Sequence, residues 1–455
     1  MNMTNNWPSV LAKLQEAGTP EIVINLFKRH YENLCSGQDA FLRESTIQPA
    51  TDVVDAETLS DVNRELGREY LQSVAVLKLN GGLGTGMGLE GPKSLLPVRG
   101  DDTFLAFILR QSSKLSVPLV LMNSFSTETQ TAEAIKALGQ DDVQVISFLQ
   151  HQVPKIDAQT MAPAEWPADP QLQWCPPGHG DIYAALVTSG TLKKLLAQGK
   201  RYLFVSNADN LGATMDLAIL GHFIGSGKSF LMEVADRTAA DRKGGHLARS
   251  KSGGLVLREK AQCHPDEEQE FQDVSRYRYF NTNNLWLDLV AISEFLDAND
   301  GVLSLPTITN RKTVDPKDSS SPAVFQLETA MGAAIEALPN TDAIRVPRSR
   351  FAPVKTTGDL LAVRSDAYEV RSDASVGLVA ERNGVPPNVK LDDRYFKKIA
   401  DLEQRVEAVP SLRHCDSLTI TGNVNLSPGI ICTGDVTLTG PDSNTPTQIP
   451  PGNYQ

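Results

Sequence analysis

The chain has 455 residues, with 43 Lys and Arg against 55 Asp and Glu, a formal net charge of −12, and it is 41% hydrophobic and 22% charged. That balance fits a globular chain of about two to four domains and argues against a non-specific nucleic-acid binder or a basic membrane-surface protein. The five cysteines are odd in number, widely spaced and free of any CxxC pair, so neither a disulfide framework nor a structural zinc site is expected. The N-terminus MNMTNNWPSV has no basic n-region and no apolar h-region, and no run approaches the ~18 apolar residues of a membrane span. The expectation is a cytoplasmic protein with no membrane or nucleic-acid partner, in which any anionic substrate meets a local cluster of cations.

Residues 1–72 read as a helical segment, in which Pro20 opens a stretch carrying Ile22, Leu26, Phe27, Tyr31 and Leu34 on one face. From about residue 73 short apolar runs alternate with amphipathic stretches. Runs 74–79, 118–122, 143–149 and 202–205 read as strands buried on both faces, and 104–115, 127–138 and 181–196 as helices between them. This alternation predicts an α/β domain with a mostly parallel sheet. Each strand ends on a polar residue: Asn80, Asn123, Gln150, and Ser206 to Asp209. Ligands of open α/β sheets bind outside the carboxyl ends of the strands. Near the C-terminus Leu418, Val424, Ile430 and Val436 recur every six residues, as do Ile420, Leu426, Cys432 and Leu438, which is the hexapeptide pattern of a short parallel β-helix.

Leu79 to Ser94, LNGGLGTGMGLEGPKS, follows a predicted strand and is dense in glycine, so its backbone N–H groups can approach an oxyanion, and Lys93 adds a full positive charge. It reads as a triphosphate loop. Gly86 to Gly91 matches GxGxxG literally, but the next strand ends at Asn123 with no acid to hold a ribose. Pro92 between Gly91 and Lys93 breaks the Walker A pattern. Pro176 to Asp181, PPGHGD, opens a predicted helix and places His179 where it can donate to a phosphate. Ser206 to Gly212, SNADNLG, puts the lone carboxylate of Asp209 at a strand exit, which suits Mg²⁺ completed by phosphates and water. Phe280 to Trp286 is rich in amides of the kind a sugar ring requires, and Arg350 to Lys355 sets two cations about a short apolar stretch.

Together these motifs resemble the UTP–glucose-1-phosphate uridylyltransferases of the eukaryotic type. The resemblance runs over nearly the whole chain and rests on LNGGLGTGMGLEGPKS, PPGHGDIY, NADNLGA, FNTNNLW, QLETAMGAAI and RFAPVKTT in that order. It implies an α/β, Rossmann-like nucleotidyltransferase domain with a mixed central sheet over 73–345, an N-terminal helical segment over 1–72, and a C-terminal segment over 346–455 with the Lys355 loop and a short parallel β-helix. By the same resemblance the nucleotide is held by Leu79, Asn80, Gly81, Gly82, Lys93, Gln150, Gly178, Asn207, Ala208, Asp209 and Lys355. Gln150 and Gly178 read the uracil side. The sugar phosphate falls to Gly81, Gly82, His179, Asn281, Asn283 and Glu328. Asp209 binds the Mg²⁺ with Lys93 beside the metal-bound phosphates, and Lys93 and Lys355 are the catalytic cations.

The implied reaction joins UTP and glucose 1-phosphate into UDP-glucose and pyrophosphate, reversibly, by in-line attack on the α-phosphorus. Self-association through the β-helix is also implied. Ala208 stands where serine or isoleucine is usual, Ala352 where a larger apolar residue is usual, and the β-helix is short. Alternatives are a pyrophosphorylase for another sugar, such as N-acetylglucosamine or galactose, and a non-catalytic sugar-nucleotide sensor.

Overall fold

Trp7–Glu16 and Glu21–Ser36 are helices in the computed structural model, which describes residues 5–37, 41–139, 142–238 and 241–455. The first four residues of the N-terminus lie outside that set. A proline in the first turn starts the first helix, and Gly37 in the left-handed conformation, φ 60°, closes the second. The second buries Val23, Phe27 and Tyr31 at four-residue spacing, with Ile22, Leu26 and Leu34 half-buried at the rim of that face. Among the described residues no helix is long and apolar enough to cross a membrane. All five cysteines are free thiols.

The chain forms two compact units, each assembled from separated segments. The first takes the described residues up to Leu77, with Ile146–Val205 and Asp216–Val346. Its sheet runs in the order Val54–Asp55, Thr341–Arg345, Phe230–Asp236, Tyr279–Asp288, Tyr202–Asn207, Val74–Asn80. Phe230–Asp236 and Thr341–Arg345 pair in parallel, as do Thr341–Arg345 and Val54–Asp55. Tyr279–Asp288 runs against both of its neighbours. The sheet is therefore mixed, as the resemblance implies, and Tyr279–Asp288 is the strand that interrupts its parallel pairing. The antiparallel strand escapes a hydropathy reading because amides fill its first half; Asn284 Nδ2 donates to Glu233 Oε2 at 2.9 Å and Thr282 Oγ1 to the Glu233 carbonyl at 2.7 Å, so these donors find acceptors inside the core.

Helices Asp61–Glu69 and Leu217–Ser226 cross at bare backbone in this unit. A Cβ on Gly67 would lie 1.9 Å from the Leu217 carbonyl oxygen, and one on Gly221 would lie 1.8 Å from that of Asn63. The helix expected over 181–196 is two helices, Ile182–Thr188 and Thr191–Ala197, because Gly190 between them takes φ 72°. The strand expected over 143–149 begins at Val145 and alternates buried and open side chains, leaving Leu149 46% exposed rather than buried on both faces.

The second unit takes Lys78–Val145, Ser206–Met215 and Pro347–Gln455. Leu119–Asn123 is fully buried there, and Phe104–Leu115 is a helix opened by the Thr103 side chain. The C-terminal end stacks parallel strands in the order Asn388–Leu391, Ser411–Thr421, Ile430–Thr439, Gly452–Tyr454, with Val424–Leu426 beside Thr447–Ile449. Leu418 faces Val436 and Ile420 faces Leu438, eighteen residues on, so three hexads make one coil. All eight hexad positions are at most 5% exposed, which confirms the short parallel β-helix.

Candidate active site

Val74–Asn80 is a buried strand that carries one charged residue, Lys78, 2% exposed. Its ammonium donates to Ser206 Oγ at 2.7 Å and to the Ala213 carbonyl at 2.8 Å, which pins both ends of the segment bearing Asp209. Beyond the strand the chain turns through the glycine loop, where Gly84 and Gly88 adopt φ 62° and 75°. Lys93 N–H returns to the Gly82 carbonyl at 3.0 Å, and Ala208 N–H bonds the Leu79 carbonyl at 3.2 Å. Ser124 Oγ donates to the Gly81 carbonyl at 3.0 Å. The Asn80 amide donates to Asn123 Oδ1 at 2.7 Å and Thr131 Oγ1 at 3.0 Å, so two polar strand ends bond each other.

The sequence places Lys93 and Asp209 more than a hundred residues apart, and the fold brings Lys93 Nζ to 2.7 Å from Asp209 Oδ2. Asp209 Oδ1 is buried and accepts no hydrogen bond. The Asp209 carbonyl accepts Val354 N–H at 3.2 Å, Asn210 Oδ1 accepts Ala352 N–H at 3.0 Å, and Asn210 Nδ2 donates to the Arg350 carbonyl at 3.1 Å. A Cβ on Gly212 would come within 2.4 Å of the Ser349 carbonyl oxygen. These contacts lace the Asn207–Gly212 turn to the segment ending in Lys355, an exposed lysine that precedes a helix capped by Thr356 and Asp359. Leu79, Gly81, Gly82, Lys93, Asn207, Ala208, Asp209 and Lys355 thus lie on segments laced together in the second unit, with the Ala208 side chain buried. Among the described residues no three His, Cys, Asp or Glu side chains cluster into a protein-only metal cage. A single hard carboxylate oxygen with no partner instead fits an ion that shares its shell with phosphates and water.

The first unit holds the other candidates. Gly178, φ 81°, lies so close to the chain opposite that a Cβ would meet the Thr329 carbonyl oxygen at 2.4 Å. Thr329 N–H bonds the Pro177 carbonyl at 2.9 Å and Gly180 N–H bonds the Thr329 carbonyl at 2.9 Å. This short ladder brings His179 against Met331, whose N–H donates to His179 Nδ1 at 3.0 Å. Nδ1 is therefore the acceptor and Nε2 carries the proton, so the neutral ring offers one donor. Desolvation brings its pKa down to about 4, which keeps it neutral through the physiological range.

Glu328, at the end of the same segment, lies 3.8 Å from Lys312 Nζ. Asn281 and Asn283 bond one another, amide to amide at 2.8 Å, and Asn283 sits at φ 60° beside an irregular register between Glu233 and Val234. A Cβ on Gly332 would strike Asn281 Nδ2 at 2.6 Å, so this glycine leaves room for the amide. Gln150 is half-buried and directly precedes His151, which is bonded to Asp181.

Several supporting groups were not legible as site residues. Lys78 had one signal, a lysine inside an otherwise apolar strand. Gly332 and the Met331 N–H had no signal beyond their place in QLETAMGAAI, since backbone donors leave no trace in composition. Glu233, fully buried, also receives Trp286 Nε1 at 3.0 Å and anchors the amide-rich strand.

Comparison with known proteins gives one family. A model described as UTP–glucose-1-phosphate uridylyltransferase matches residues 24–432. The chain is 40% identical over 428 residues to a probable UTP–glucose-1-phosphate uridylyltransferase of Schizosaccharomyces pombe, covering 92% of this chain and 83% of that one. It is also 40% identical over 443 residues to the Hordeum vulgare UTP–glucose-1-phosphate uridylyltransferase, covering 94% and 90%. Among solved structures it is similar to a mutant UDP-glucose pyrophosphorylase from Leishmania major in complex with UDP-glucose, with a TM-score of 0.91, 42% identity, and 99% and 98% of the two chains covered. The UDP-glucose phosphorylase structure from Trypanosoma brucei gives 0.89 and 41%, with 99% and 98% covered.

Proposed function

The chain belongs to the UTP–glucose-1-phosphate uridylyltransferase family, and from that premise we propose how its residues carry the reaction. It is a nucleotidyltransferase that moves the uridylyl group of UTP to glucose 1-phosphate, giving UDP-glucose and pyrophosphate. A phosphate oxygen of glucose 1-phosphate forms a bond to the α-phosphorus of UTP. The bond from that phosphorus to the oxygen bridging to the β-phosphorus breaks, and its electron pair leaves with pyrophosphate. One phosphoanhydride replaces another, so the reaction runs in both directions.

Two polyanions must approach, and their repulsion is the obstacle. In this reading Lys93 and Lys355 neutralise the charge that develops on the phosphates, and the backbone of Leu79 to Gly82 cradles the nucleotide. Gln150 and Gly178 read the uracil, His179 donates its Nε2 proton to the sugar phosphate, and Asn281, Asn283 and Glu328 hold the sugar hydroxyls. Asn207 and Ala208 line the nucleotide beside Asp209. Asp209 would hold Mg²⁺, with Lys93 as its neighbour and not a ligand. When bound, the ion draws charge off the phosphate oxygens. The observation that carries this reading is the Asp209 carboxylate, with one oxygen on Lys93 and the other buried and unbonded. A cytoplasmic setting and self-association through the C-terminal coils belong to the same proposal.

The test is pyrophosphate release with UTP, ATP, GTP or CTP against a panel of sugar 1-phosphates, with and without Mg²⁺. Release confined to UTP, strongest with glucose 1-phosphate and abolished by a chelator, supports the reading. Asp209→Asn should lower turnover by about two to three orders of magnitude and weaken Mn²⁺ binding read by electron paramagnetic resonance. Full activity in a chelator, or in Asp209→Asn, counts against the metal assignment.

A further inference from the structure

We propose that Asp181 and His151 form a clasp that positions Gln150 against the Gly178–His179 turn and so sets how tightly and selectively the uracil end of UTP is held. The inference rests on the assignment of Gln150 and Gly178 to the uracil side.

The clasp is made of four bonds within the first unit. Asp181 Oδ2 accepts the His151 backbone N–H at 2.7 Å. His151 Nδ1 lies 2.8 Å from Oδ1 and 3.1 Å from Oδ2 of the same carboxylate. Nε2 lies 2.9 Å from Thr188 Oγ1. The Asp181 side chain is 4% exposed and that of His151 13%. A carboxylate accepts only, so Nδ1 carries the proton and the bond is charge-assisted.

Asp181 stands at the N-cap of Ile182–Thr188 and Thr188 is its last residue. Residues seven apart share a helix face, so the ring spans two turns of one helix. That helix begins directly after Gly178 to Gly180, and His151 directly follows Gln150. The two uracil-reading residues, separated by 28 positions in the chain, therefore hang from one frame. Asp, His and a hydroxyl in this order also describe a nucleophile relay, but the one Thr188 hydroxyl proton is divided between His151 Nε2 and the Ala184 carbonyl at 3.0 Å within its own helix. The constellation holds; it does not attack.

The test uses the full chain. His151→Leu keeps the bulk of the ring and removes both ring bonds, while His151→Asn returns a donor near the position of Nδ1. Removing a charge-assisted hydrogen bond should raise the KM for UTP in His151→Leu about tenfold and lower the preference for UTP over CTP. The KM for glucose 1-phosphate and kcat should stay within about twofold. His151→Asn should recover most of the loss, a rescue that a packing role would not show. Calorimetric titration with UTP reads the same change without turnover.

Equal UTP constants in wild type and His151→Leu overturn the clasp. So does an equal loss in the Leu and Asn variants spread over all three constants. Gln150→Ala separates the two layers of the argument: no change in its UTP constant sinks the uracil assignment, whereas a change there with none in His151→Leu sinks the clasp alone. Should His151→Leu fail to fold, Asp181→Asn, which preserves shape, carries the same expectations.

Discussion

Lys93 and Asp209 pair at 2.7 Å, and in the proposed reaction a polyanionic substrate exchanges that pairing for its own charges. The side chains are only 15% and 18% exposed, so the cost of desolvating the pair offsets most of its attraction. Lys93→Ala should therefore cut turnover by about two to three orders of magnitude, with a Tm within a few degrees of wild type. Near-normal turnover in that variant would remove the lysine from the reaction.

His246 acts in the opposite sphere, on stability alone. Its ring is fully buried, stacked on Tyr277 at 3.9 Å between centroids, and faced by Arg237 and Arg258. Burial first, and then those two cations, push its pKa down to about 3. The unfolded chain takes up this proton near pH 6.5 and the folded chain does not until about pH 3, so stability is present above pH 6.5 and is lost as pH falls across that window. Between pH 7 and pH 5 the loss from this residue is about 2 kcal/mol. Urea midpoints at the two pH values should show a shallower decline in His246→Phe than in wild type, and equal declines would refute the argument.

At the scale of elements, the crossing of Asp61–Glu69 with Leu217–Ser226 depends on two missing side chains. Gly67→Ala should destabilise by about 1–3 kcal/mol or more through overpacking, read as a lower urea midpoint with an unchanged slope. A neutral outcome would mean the helices slide apart at no cost. What the sequence made legible at this scale follows from periodicity. The hexads at Leu418 to Leu438 and the strand before the glycine loop carry strong repeating signals, and both stand. The site motifs were legible for a related reason: glycine, proline and charge at strand exits have few structural uses.

Tyr279–Asp288 was hidden because its buried amides look like a turn until Glu233 is known to satisfy them. The break at Gly190 was hidden because one glycine in a helical pattern is tolerated as often as it interrupts. His151 and Asp181 were invisible as a pair, since nothing in the sequence reports a contact across 30 residues.

At the scale of the whole molecule, the second unit is visited three times by the chain, as Lys78–Val145, Ser206–Met215 and Pro347–Gln455. Lys93, Asp209 and Lys355 come one from each visit. The charges that the proposed reaction assigns to the phosphates therefore come together only after two long excursions into the first unit have been closed, and non-local closure is slow. Refolding from urea should restore pyrophosphate release in step with the slowest spectroscopic phase. Activity that returns with an early phase would show that the three segments assemble before the rest.

Between Leu418 and Leu438 the eighteen-residue coil makes length a discrete quantity within the strands. Duplicating one full coil adds a rung and leaves every inward residue inward, whereas adding nine residues turns the following rung inside out, because nine is odd and side chains alternate faces. The first insertion should leave the Tm near wild type and the second should collapse it. Residues added between strands escape that rule: Leu426 faces Ile449 twenty-three residues on, so the chain lengthens this end either by whole rungs or by loops that leave the inward rows in register.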